Sequence, residues 1–354
     1  MRLSLIRNLC GGMIVAFLLA STASLAKADN LHSPWDNIKI EQTDVPYSCP
    51  TPPRFAKTLD ANPYYTDAHA SVIDPKKLAA FQEASAASTH LGQYAGLAAD
   101  TYLSKGSRNA ALCVYSLLAA AAKAEAWTGK MPDFQDVYLQ NWELSGVSLS
   151  YLKVRQSKVG TPEQDAAIQR WFRMLSGRVR EYFDVQIGRP GSDGWNNHLY
   201  WAGLSIAAAG IADNDTEEFN WGIAAYHRGL AAILPDGSLA AEMNRGQMAL
   251  HYHLYAVGPL IILAELGVAN GINLYAEDNG AIHRLVKFCV AGLEDPTLLE
   301  KRIGVPQVVP KPLAGLEIGW AVPYVHRFPD QQISSLIATA QWTRFWQWGG
   351  APPE

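Results

Sequence analysis

The sequence predicts an all-α fold, an incomplete α/α toroid built from antiparallel helix hairpins, and three observations carry that expectation. Beyond residue 75 the chain runs through eight long Ala- and Leu-rich stretches. They cover 76–104, 109–128, 133–157, 163–185, 196–212, 216–233, 245–268 and 278–293, with apolar residues recurring every three or four positions. Gly, Pro and Asp break the stretches apart, and no convincing run of alternating strand residues occurs. Finally, eight helices with short links are too many for a four-helix bundle. No sequence repeat at a fixed period points to TPR- or HEAT-like arrays. A ring of diverged helix pairs requires no such repeat.

Taken in order, the first 28 residues are read as a secretory signal peptide. Arg2 and Arg7 give a positive start, Met13 to Ala20 is apolar, and Ala26-Lys27-Ala28 is a cleavage pattern. The mature chain is then expected to be an exported, periplasmic protein comprising residues 29–354 as one toroid domain with an extended segment at 29–75. No later stretch is read as long and apolar enough to span a bilayer, so no membrane anchor is expected, and a monomer is. Asp74-Pro75 can open the first helix, Thr161-Pro162 supplies a cap and a first-turn proline for the fourth, and a last helix is expected to end in Trp342, Trp346 and Trp348.

Charge limits the partners. Loss of the three cations of the leader takes the formal charge from −4 to about −7, which disfavours general nucleic-acid binding. It also counts mildly against a polyanionic substrate, unless the cations gather in one cleft. Cys49, Cys113 and Cys289 allow at most one bridge. Cys113 and Cys289 sit in helical apolar stretches and are read as buried, inert thiols. Their spacing fits no zinc pattern, and no metal or organic cofactor is expected.

Two stretches carry chemistry. The first, Gly194 to Trp201, reads Gly-Trp-Asn-Asn-His-Leu-Tyr-Trp. The second, Arg245 to Tyr255, reads Arg-Gly-Gln-Met-Ala-Leu-His-Tyr-His-Leu-Tyr. On a helix over 196–212, Asn197, His198 and Trp201 share one edge near the positive N-terminal end. On the second helix, Arg245 and Tyr252 lie two turns apart on one face, about 10 Å, with Tyr255 continuing the stripe. A guanidinium and a phenol so placed can straddle one sugar unit, and several of the eleven tryptophans can stack on sugar rings. His251 and His253 fall on different faces and are assigned to structure. Asp193, Asp236 and Glu242 are the carboxylates that a glycoside hydrolase, the first rival, would need. A non-catalytic periplasmic polysaccharide-binding protein is the second rival.

These motifs resemble the alginate lyases of polysaccharide lyase family 5. The resemblance rests on Asn-Asn-His with Trp201 three residues beyond, and on Arg-x6-Tyr within the 245–255 run. The Ser-Cys-Pro-x-Pro-Pro segment at 48–53, the Trp142 stretch and the Trp-x-x-Pro-Tyr element spanning Trp320 to Tyr324 also match. It implies an incomplete α/α toroid and an acidic polysaccharide substrate, alginate or a glucuronate polymer, cleaved by β-elimination to a 4,5-unsaturated uronate end. By the same resemblance Asn197 and Arg245 neutralise the uronate carboxylate, and His198 assists or performs proton abstraction at C5. Tyr252 protonates the departing O4, and Trp201 lines a sugar subsite. Tyr65, Tyr255, Trp142, Trp320 and Tyr324 complete the expected substrate-binding set. One departure affects the choice of uronic acid. The lysine that members close to the mannuronate enzymes carry before an early tyrosine loop is missing, and Asn62-Pro63-Tyr64-Tyr65 stands there. Tyr252 is expected to need a cationic surround that lowers its pKa from about 10.

Overall fold

The computed structural model describes residues 30–353, so the leader expected at 1–28 lies outside the described residues. Among the described residues there is no β-strand, only isolated bridges. The eight expected helices are present as α1 (Pro75–Lys105), α2 (Arg108–Lys123), α3 (Phe134–Val154), α4 (Pro162–Ile187), α5 (Asn197–Asp213), α6 (Thr216–Ala231), α8 (Ala249–Ala269) and α9 (Glu277–Glu294). A one-turn α7 (Ala240–Met243) precedes α8.

Local chemistry explains the boundaries. The Asp74 carboxylate accepts the N–H groups of Lys76 and Lys77 ahead of Pro75, and Thr161 forms a reciprocal capping box with Gln164. Three helices, α3, α5 and α8, are buried on nearly every face. In contrast, α2, α4, α6 and α9 bury one stripe each. An inner row of helices buried on nearly every side, backed by an outer row of amphipathic ones, is the layering of an α/α toroid. The central α5 packs on α3, α4, α6 and α8. It crosses α6 at paired glycines: a Cβ on Gly203 would come within 2.7 Å of the Ala225 Cβ, and one on Gly222 within 2.5 Å of the Gly203 carbonyl.

The two ends of the described residues are tied to this frame. The Leu31 N–H donates to Asn214 at 2.7 Å, and Asp36 pairs with Arg155. The buried Lys153 ammonium donates to Asp100 and to the carbonyls of Gly349 and Ala351 at 2.6–2.7 Å. The tail enters against α3 at Gly146, where a Cβ would meet the Trp346 carbonyl at 2.5 Å. That contact holds Trp346 and Gln347 beside the inner helices.

Four expectations are corrected. Cys113 is not a free thiol but is bonded to Cys49, which staples the extended segment to α2, whereas Cys289 is free and buried. Trp342, Trp346 and Trp348 do not end a helix. The C-terminal region instead forms the short helices α10 (Thr297–Ile303), α11 (Ala321–Arg327) and α12 (Gln331–Ala338), followed by a tail with one 3-10 turn at Trp346–Trp348. The segment Gly246–Ala269 does reach the length and hydropathy of a membrane span, but 89% of its most apolar window is packed inside the fold. Arg245 does not ride on the helix of Tyr252. A 3-10 turn at Gly246–Met248 intervenes, so their separation is not set by helical phase.

Candidate active site

A cavity of about 500 Å³ opens between the inner helices and the loop that precedes α1. The loop is self-supporting. The Asp67 carboxylate accepts from the backbone N–H groups of His69, Ser71 and Val72 and from the Ser71 hydroxyl. Burial opposes its ionisation, but together these donors hold it down at about 2. The loop thereby places Tyr64 and Tyr65 over the cavity.

His198, one residue into α5, is set by the cap at Asn196, whose side chain accepts the His198 N–H at 2.9 Å. Its imidazole stacks on Tyr138 of α3, ring centres 3.8 Å apart, with Trp142 at 6.3 Å. The buried Nδ1 has no protein partner. Burial pushes the imidazole down to about 4 despite the nearby Asp193 carboxylate, with Arg245 adding to the shift. The ring is therefore neutral near pH 7.

Tyr252, on the first turn of α8, faces the same cavity, and its hydroxyl donates to the Ala70 carbonyl at 3.2 Å. The Arg245 guanidinium lies over its ring, 4.6 Å from the centre. The expected depression of the phenol pKa is not found. Burial pushes it up, and the hydrogen bond from Tyr65 and the charge of Arg245 only moderate the rise. The phenol is thus protonated near pH 7. The spacing of Arg245 and Tyr252 is corrected as well: the two side chains are stacked rather than standing either side of a sugar.

Asn197 lies behind the wall. It is fully buried, and its backbone N–H and side-chain amide both donate to Glu242 Oε1, at 2.9 and 3.0 Å. The other Glu242 oxygen is 3.5 Å from Arg245 Nε. Burial raises the Glu242 pKa against the pull of Arg245 and Asn197. One buried carboxylate thus ties the start of α5 to the turn that carries Arg245.

Of the expected substrate-binding residues, Tyr65, Trp142 and Tyr255 line the cavity. Trp201 does not. It is 0% exposed, donates its indole N–H to the Tyr255 carbonyl and stacks on Trp348. Trp320 is likewise fully buried, bonded to the Glu317 carbonyl. Tyr324 packs against Phe328 and bonds His283 away from the cavity. All three are packing residues, because an indole or phenol that fills a core gap has no face left for a sugar. His251, assigned to structure from sequence, lines the cavity beside Tyr252 and Tyr255. His253 is the structural one, its Nε2 accepting the Leu239 N–H. Sequence reasoning missed Tyr138 and Gln347. Tyr138 stands one turn before Trp142 and was open to inference from that spacing, but nothing local marks Gln347.

The carboxylates of the hydrolase rival are scattered. Asp236 pairs with Arg302 and Ser238 outside the cavity, and Glu242 is buried behind it. Asp193 lines the cavity, held by Tyr182, and the other lining carboxylate, Asp67, is committed to its own loop. No two of the three are placed to flank a scissile bond.

The alginate lyase family model matches residues 58–298. A polysaccharide lyase of Stenotrophomonas maltophilia is 38% identical over 289 residues, 80% of this chain and 83% of that protein. An alginate lyase of Pseudomonas syringae pv. syringae is 28% identical over 318 residues, 88% of this chain and 82% of that one. Among solved structures, alginate lyase A1-III from Sphingomonas species A1 superposes with a TM-score of 0.73 over 86% of each chain at 24% identity. A variant of A1-III complexed with a tetrasaccharide gives 0.77 over 92% of this chain and 96% of that one, at 22% identity. At that identity the superpositions speak for the fold, the α/α toroid. With a family model spanning most of the chain and a relative 38% identical over four-fifths of it, the protein belongs to the alginate lyase family and is a polysaccharide lyase.

Proposed function

We propose that this lyase cleaves a polymer of mannuronate or glucuronate by β-elimination. In the reaction the C5 proton leaves, the C4–O4 bond breaks, a C4–C5 double bond forms, and O4 departs with a proton. The observation that carries the reading is the convergence of one cation, Arg245, one neutral imidazole, His198, and one protonated phenol, Tyr252, on a single cavity. The proton next to a carboxylate is weakly acidic because its removal leaves a dianion. Arg245 supplies the positive charge where that negative charge grows, and one such donor contributes a few kcal/mol in the transition state. Asn197 acts through Glu242, holding the turn that aims Arg245. The Tyr252 hydroxyl delivers the proton to O4, and His198 accepts or relays the one taken from C5. Tyr65, Trp142 and Tyr255 bound the sugar.

In mannuronate and glucuronate H5 and O4 lie on one side of the ring, so Tyr252 can serve both steps if it ionises on binding. The resting protonation states also suit guluronate, in which the two groups lie on opposite sides, with His198 as base and Tyr252 as acid. Export to the periplasm belongs to the same proposal. A leader pattern at residues 1–28 supports it, as does a disulfide that persists in an oxidising compartment. The test is incubation of purified protein with polymannuronate, polyguluronate, polyglucuronate and hyaluronan while ultraviolet absorbance of the unsaturated product is recorded. Reducing ends without that absorbance, or no change with any polymer, would sink the proposal.

A further inference from the structure

We infer that the cleft continues into a second groove along α1, where the non-reacting part of the polyuronate chain rests on Trp342 and Arg344; the inference builds on the substrate class proposed above. The groove encloses about 830 Å³ and borders the catalytic cavity, with Leu316 and Trp346 lining both. Helix α1 runs beside both, with Phe81 and Thr89 on the cavity and Gln93 and Leu97 on the groove. From Phe81 to Leu97 the helix rises about 24 Å, more than one sugar ring needs.

The groove has the chemistry a uronate chain would meet. Trp342 is 50% exposed, unlike the fully buried Trp201, Trp320 and Trp348. Its backbone is fixed by a bridge to Ala314 and by the Gly315 N–H, which donates to its carbonyl at 2.9 Å. A pinned, half-bare indole is a platform for the apolar face of a sugar. Arg344 is exposed beside it and, among the described residues, forms no ion pair. It is free to meet a carboxylate. Among the described residues Glu317 is the one carboxylate lining the groove, and burial raises its pKa. Gln93 and Gln341 offer amides to sugar hydroxyls.

Binding beyond the cavity should show as a dependence on chain length. We would compare Trp342→Ala combined with Arg344→Ala, and separately Trp342→Tyr, on a long polyuronate and on its trimer and tetramer. The double variant is expected to raise KM for the long chain roughly five- to tenfold, to leave the short oligomers unchanged, and to keep kcat. Trp342→Tyr, which keeps a stacking ring, should stay near the parent. Equal effects on long and short substrates, or none on either, would overturn the groove while leaving the reaction in place. If the parent protein yields no unsaturated product from any polyuronate, the substrate class fails and the groove assignment with it.

Discussion

The guanidinium of Arg245 lies 4.6 Å above the ring of Tyr252, and its Nε is 3.5 Å from the buried carboxylate of Glu242. One cation is thereby held between an aromatic face and a carboxylate at the wall of the cavity. Cation–π contacts of this kind contribute about 0.5–2 kcal/mol. Their larger effect here is to fix where the positive charge stands relative to the phenol.

Tyr252→Phe keeps the ring under Arg245 and removes only the hydroxyl. Turnover should fall by about two to four orders of magnitude, while the melting temperature moves little. Product absorbance and a thermal melt measure the two, and near-normal turnover would remove Tyr252 from the proton transfer.

Glu242→Ala should do harm of a different kind. It strips the partner from two Asn197 donors and from Arg245, and breaking a buried pair costs about 3–5 kcal/mol, readable in urea unfolding. Glu242→Gln keeps hydrogen bonding to Asn197 but not the charge. It should fold and lose about tenfold in kcat/KM as Arg245 wanders. If Glu242→Gln works at the parent rate, the carboxylate does not position Arg245.

Burial lowers the pKa of His198, His251 and His253 to about 4 from an ordinary 6.5. The unfolded chain therefore binds more protons than the folded one between those limits. The stability these groups contribute is intact above about pH 6.5 and is lost as pH falls toward 4. Melting temperature should drop steadily across that window, and His253→Gln should flatten part of the slope. A melt independent of pH there would contradict the shifts.

Glu143 titrates in the opposite sense. It is fully buried on α3, neither oxygen has a hydrogen-bond partner, and burial pushes its pKa well above 4.5. A raised acid gives stability that is whole below about pH 4.5 and is lost as pH rises toward the folded pKa. Glu143→Gln removes the ionisable group at equal size. It should leave stability at pH 5 nearly unchanged and improve it at pH 8. Greater loss at pH 8 than at pH 5 would show that Glu143 is ionised and paired.

The disulfide closes a loop of 64 residues between Cys49 and Cys113. Cross-linking a loop of that length restricts the unfolded chain by about 4 kcal/mol in the chain-entropy picture. Cys49→Ser should lower the unfolding midpoint accordingly and loosen the 30–60 segment to proteolysis. The catalytic cavity, built by α3, α5 and α8, should keep its activity below the midpoint.

By itself the sequence determined the helices and the toroid. Periodic apolar spacing, the caps at Asp74 and Thr161 and the short links are local properties, and local physics reads them within a few residues. The pairing of the 194–201 and 245–255 stretches was equally legible, since His198, Arg245 and Tyr252 do meet at one cavity. Tertiary structure alone decided what surrounds them. Because α3, α5 and α8 are buried on nearly every face, periodicity within them does not say which side is core and which is cleft. Trp201, expected from sequence to be a sugar platform, is packing, while Tyr138, Gln347 and His251 line the wall. Tertiary structure also decided the partner of Cys113, the carboxylate behind Asn197 and the sense of the Tyr252 shift. Each of these depends on which distant group displaces water from a side chain, and spacing along the chain carries no record of that.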